Sequence, residues 1–172
     1  MAKDYAFSLG DLGVGFNYKR FEEIFSKTKF YMIYGNHDDM EWLSSLRNKD
    51  GTPALLRDAE IVRVGELRFG AINGIISLKR RSRKGVPRKK PDEFLYYALA
   101  VGRGGLDILL IYEYPLTDEY WDWEDLHNIH SVVARKAVAN ADPRVCFFAV
   151  TCIVQNRVFI IYLKFGLKGK SR

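Results

Sequence analysis

Two cysteines in 172 residues are too few for a disulfide framework, and Cys146 and Cys152 are expected to be buried thiols. Long apolar runs are absent. None approaches the roughly 20 residues that cross a bilayer, so no membrane partner is expected. The first nine residues, MAKDYAFSL, lack the basic start, apolar run and small-residue cleavage site of a secretory leader, and the expected location is cytoplasmic. Internal repeats and low-complexity tracts are also missing. With only 3 histidines, imidazole ligands for a metal are scarce.

What is present is ordinary for a globular chain. The apolar fraction is 48% and the charged fraction 28%, and the length suits one domain, residues 1–172. The charge is not ordinary in its distribution. Segment 79–90, KRRSRKGVPRKK, holds eight Lys or Arg and no acid. Take those eight away and the net charge of +6 becomes −2, so the basicity belongs to one segment. A patch of that kind is an electrostatic footprint for a polyanion. The same composition also describes a solvated loop.

Periodicity gives a coarse order of elements. Residues 4–9 alternate as a short strand, followed by a turn rich in glycine. A helix is expected over 18–27, with Phe21, Ile24 and Phe25 on one face. KFYMIY, residues 29–34, reads as a buried strand, and 39–48 as a helix that Asp38 and Asp39 cap. Strands are expected at 60–64, 67–72 and 73–77. Beyond the basic segment, Pro91, Asp92 and Glu93 suit the first turn of a helix reaching about residue 101. An apolar strand at 106–112, a helix at 127–139 and strands at 144–151 and 156–164 complete the chain. This alternation is that of a layered α/β fold, where working residues sit on loops at the carboxyl ends of strands. Two loops qualify, 10–15 and 35–38.

Gly10-Asp11 closes the first strand, and Gly35-Asn36-His37-Asp38 closes the second about 25 residues later, with one helix between. This pair of blocks resembles the calcineurin-like metallophosphoesterases, in particular archaeal members with a basic, proline-containing loop before a helix. The resemblance runs through most of the chain. It implies an α/β, layered metallophosphoesterase-like β-sandwich flanked by helices, lacking the usual first strand and helix, because the sequence begins at the strand carrying Gly10-Asp11. In that family two metal ions clamp a phosphate and generate a hydroxide. Carried over by position, the resemblance makes Asp11 the bridging carboxylate, Asn36 the amide ligand and His37 the leaving-group histidine. The other ligand positions depart from the pattern. The D-x-H block is missing, the middle-strand histidine falls on Tyr112, and the closing Gly-His-x-His falls on Ala149, Val150, Thr151 and Cys152. Two oxygen ligands fall far short of a divalent-ion site. The expectation is therefore a pseudo-phosphoesterase with no cofactor, in which Asp11, Asn36 and His37 are vestigial and shape the loops by hydrogen bonding.

With catalysis discounted, binding is the leading expectation. The partner is RNA or a ribonucleoprotein such as a ribosome, held by Lys79, Arg80, Arg81, Arg83, Lys84, Arg88, Lys89 and Lys90. Lys168, Lys170 and Arg172 of the tail 164–172 extend the set. Two alternatives remain open. One is a residual phosphodiesterase or nuclease using Asp11, Asn36 and His37 with weakly bound manganese or another divalent metal. The other is a scaffold that meets a protein partner through Tyr120, Trp121 and Trp123, in the acidic, aromatic stretch 117–125. His127 and His130, three apart on an expected helix, read as exposed helix side chains.

Overall fold

The computed structural model describes residues 5–12, 18–79, 82, 85–115, 129–154 and 157–166, with backbone alone at 18–21, 150–154 and 157–166. The order is β1 (Tyr5–Ser8), α1 (Tyr18–Lys27), β2 (Lys29–Met32), α2 (Met40–Ser45), β3 (Ile61–Val64), β4 (Leu67–Ile72), β5 (Ile75–Ile76), β6 (Arg88–Lys89), α3 (Pro91–Arg103), β7 (Ile108–Ile111), α4 (Ile129–Ala141), β8 (Val145–Val154) and β9 (Arg157–Gly166). The fold is mixed α/β. No helix among the described residues is long and apolar enough to cross a membrane.

The strands form one five-stranded sheet, in the order β3-β4-β7-β8-β9, and two small parallel pairs, β1-β2 and β5-β6. In the large sheet β4, β7 and β8 run parallel, with β3 and β9 antiparallel at its two edges. Side-chain alternation explains the layering. Leu109 and Ile111 of β7 point to one face, where Phe94, Ala98 and Val101 of α3 and Ala134, Ala137 and Val138 of α4 enclose the main core. Leu110 and Tyr112, from the alternate positions, join Phe69, Ala71 and Ala149 against Tyr31 and Ile33 of the β2 strand and its extension. The opposite face of β2, carrying Phe30, Met32 and Tyr34, packs on Trp42 and Leu43 of α2 and on Phe25 of α1. The order is therefore helices, large sheet, small sheet, helices.

Elements and patterns agree, with boundaries moved. The strand expected at 73–77 is two residues long, and the helix expected at 39–48 spans Met40–Ser45. Ile24 leaves the apolar face of α1 and is 39% exposed. Asp39 caps α2, its carboxylate accepting from Trp42 N at 3.1 Å, but Asp38 does not cap it and turns to the loops instead. Cys146 is buried in the main core, and that burial pushes its thiol well above the ordinary range, the inert form of the side chain. Cys152's side chain lies outside the described residues.

Candidate functional site

The parallel register of β1 with β2 sets Ser8 beside Met32, so the two loops leave their strands side by side. They then approach closely. Gly10 has φ of 99°, and a Cβ there would lie 2.9 Å from the Gly35 Cα, so a side chain is excluded on both conformational and steric grounds. A Cβ on Gly35 would run into the Asp11 carboxylate and the Tyr112 ring. Asp11 itself is left-handed at φ 54°, a conformation short polar residues tolerate.

Each loop's aspartate satisfies the other loop's backbone. Asp11 Oδ1 accepts from Asn36 N at 3.0 Å and His37 N at 2.9 Å. In return the buried Asp38 carboxylate accepts from Asp11 N at 2.9 Å and Leu12 N at 2.7 Å, and from Gly35 N at 2.7 Å. Burial outweighs these three donors and lifts the Asp38 carboxyl above its usual range, with the Asp11 charge pushing the same way. Tyr112 closes the arrangement from the end of β7. Its Oη lies 2.5 Å from Asp11 Oδ2 and 2.7 Å from Asn36 Oδ1, so one phenol proton faces two acceptors on two loops. Position alone marked Tyr112 as a lost histidine. That it links Asp11 and Asn36 was not visible in the sequence.

These residues do not fit the two-metal group that the resemblance implies. Both Asp11 oxygens are engaged, one by backbone N–H groups and one by the phenol, and Asn36 shares that phenol. No cluster of three or more His, Cys, Asp or Glu is arranged to hold a metal among the described residues. His37 is exposed at the loop surface. Behind Tyr112, the Glu113 carboxylate accepts from Ile76 N at 2.5 Å and faces His130 Nδ1 at 3.6 Å. His130 is thus the partner of a carboxylate held above its usual range by burial, and not a bare surface side chain. His127 lies outside the described residues.

The basic segment divides. Lys79 and Lys90 are exposed and Arg88 is half-buried. Lys89 points inward at 3% exposure, which removes it from the expected nucleic-acid contacts. Its ammonium donates to Asn73 O at 2.8 Å and Tyr34 Oη at 3.0 Å and pairs with Asp58 Oδ2 at 3.0 Å. Asn73 binds the same knot, its Oδ1 accepting from Tyr34 N and its backbone N donating to Asp58 Oδ1. Together with buried Val86 and the β5-β6 pairing, Lys89 fastens the carboxyl side of the segment to the body of the fold. A cavity of about 430 Å³ opens beside it, lined by Asp58, Ser82, Arg88 and Glu93 among others, so its charges are mixed. Arg80, Arg81, Arg83 and Lys84 lie outside the described residues, as do Lys168, Lys170 and Arg172 of the tail and Tyr120, Trp121 and Trp123.

Comparisons with protein-family models, curated proteins and solved structures return no match to this chain.

Proposed function

We propose that this chain is a non-catalytic relative of the calcineurin-like metallophosphoesterases that binds RNA, or an RNA–protein assembly, through its basic segment. The observation that carries the reading is the segregation of charge. Eight cations lie within residues 79–90 of a chain otherwise net negative, and Lys89 and Val86 tie that segment's stem to the core. With that stem held, exposed Lys79 and Lys90 stand at the two ends of the segment on the body of the fold, which lowers the ordering cost of contacts they make. Phosphate contacts from Lys and Arg supply most of non-specific nucleic-acid affinity. The kinship is supported by two strand-terminal blocks that lie together, Gly10-Asp11 and Gly35 to Asp38, and by the helix–sheet–sheet–helix layering. The non-catalytic part is supported by the phenol of Tyr112, which stands between Asp11 Oδ2 and Asn36 Oδ1 at the position where the resemblance calls for a metal-binding histidine.

The test is anisotropy of a labelled single-stranded RNA with the full chain over a salt series. Affinity is expected to fall linearly in log–log form, with a slope of about −0.7 per phosphate contacted. Charge reversal at Arg80, Arg81, Arg83, Arg88 and Lys90, sparing the structural Lys89, is expected to abolish most of the binding and flatten the slope. Unchanged affinity in that variant sinks the reading.

A further inference from the structure

The two most exposed large apolar side chains among the described residues bracket the basic segment. Leu78, 59% exposed, immediately precedes Lys79, and Tyr96, 66% exposed, lies six positions after Lys90. The fold brings these flanks together. Parallel pairing matches Ile76 to Lys89, and Ser77 N donates to Lys89 O at 2.7 Å, so Leu78 leaves β5 where the chain beyond β6 enters α3. Six helical residues advance about 9 Å along the axis, which puts Tyr96 in the second turn of α3, close to the segment's end.

The helix face is built for this separation of roles. Phe94, Ala98 and Val101 bury one side of α3 in the main core. Asp92, Tyr96, Leu99 and Arg103, at spacings of four, three and four, form the outward stripe, and all four are exposed. Tyr97 sets its ring at 65° to that of Tyr96, with centroids 5.7 Å apart, and braces it while leaving most of Tyr96 open. Asp92 repels phosphate from the start of the stripe, whereas an uncharged base meets only the ring and Leu99. Beyond them Arg103 offers a cation again.

We propose that Tyr96, beside Leu99 and next to the basic segment, is a stacking platform for an unpaired RNA base, which makes single-stranded RNA the ligand in preference to duplex. The inference rests on the RNA-binding reading and specifies its substrate. Bases in single strands expose their π-faces to aromatic side chains, while paired bases keep theirs inside the stack. Exposed Lys79 and Lys90 to meet the backbone and an exposed ring to carry a base are the two halves of such a surface.

The experiment compares the full chain with Tyr96→Ala and Tyr96→Phe, on a labelled unstructured RNA strand and on the same strand annealed to its complement. Tyr96→Ala is expected to weaken single-strand binding about tenfold, leave duplex binding and the salt slope unchanged, and be rescued by Tyr96→Phe. If Tyr96→Ala binds the single strand like the wild type, the platform is overturned while RNA binding stands. Equal weakening on strand and duplex, or failure of Tyr96→Phe to rescue, also overturns it. If the wild-type chain binds neither RNA at low salt, the RNA reading itself fails and the platform falls with it.

Discussion

The two candidate regions use polar groups in opposite directions. At the paired loops, Asp11, Asn36, Asp38 and Tyr112 spend their hydrogen bonds on one another and on the backbone of the facing loop. At the basic segment, Lys79 and Lys90 face water, and the inward exception, Lys89, acts as an anchor. The first arrangement is closed: a ligand has to break internal bonds to enter it. The second is open and costs nothing to approach. Charge left open to water is available to a ligand, whereas charge engaged within the fold is not.

The sharpest way to break this contrast is Lys89. Removing one partner of a buried ion pair leaves the other charge uncompensated, so Lys89→Met is expected to lose about 3 kcal/mol. That corresponds to a fall of about 6–12 °C in melting temperature for a chain of this length. Its exposed neighbour, altered as Lys90→Met, is expected to stay within about 0.5 kcal/mol. Thermal unfolding of both variants decides it. Equal, small shifts would place Lys89 with the open cations and dissolve the distinction.

Tyr112→Phe probes the closed region with a smaller effect. The substitution keeps the ring in its core position and removes only the hydroxyl shared by Asp11 and Asn36. A hydrogen bond to a charged group contributes roughly 1.5–3 kcal/mol, and partial solvation of Asp11 puts the loss at the lower end, about 1.5 kcal/mol. Denaturant titration measures it. No loss of stability would mean that the phenol does not tie the loops together.

Much of the architecture was legible because apolar runs and helical spacing report locally. LDILLIY announced β7, and Pro91-Asp92-Glu93 announced the start of α3. The closed site was half legible. Gly10-Asp11 and Gly35 to Asp38 were found by pattern, but the link from Asp11 to Tyr112 spans 101 positions and no local rule reaches it. Asp38 and Asp39 are the same residue type in adjacent places, and only the tertiary approach of the first loop makes one a loop clasp and the other a helix cap. Lys89 was hidden for a related reason. β6 is two residues long, too short for alternation to show that Arg88 and Lys89 face different ways.

The pH dependence of the closed region is the gentlest test, and Asp38 contributes to it with a definite sign. Burial holds its carboxyl above the ordinary value near 3.8, so the folded chain retains this proton at pH values where the unfolded chain has released it. Between those two values the native state binds more protons, and stability attributable to this group falls as pH rises. A depressed carboxylate behaves oppositely. Asp107 is an example, held down first by the Arg68 backbone N–H and then by the Arg68 and Arg144 guanidinium groups, and its contribution is lost as pH falls. Melting temperatures from about pH 4 upward are therefore expected to show a shallow decline in the wild type that Asp38→Asn makes shallower, the remainder belonging to buried Glu113, while Asp107→Asn leaves that decline in place and weakens the response at more acid pH. The replaced Asp38 also sets an amide N–H2 against a backbone donor, so the variant starts from a lower melting temperature, and only the slope reports on titration. If the slope is undiminished without Asp38, the clasp between the loops is not where the closed region stores its buried charge.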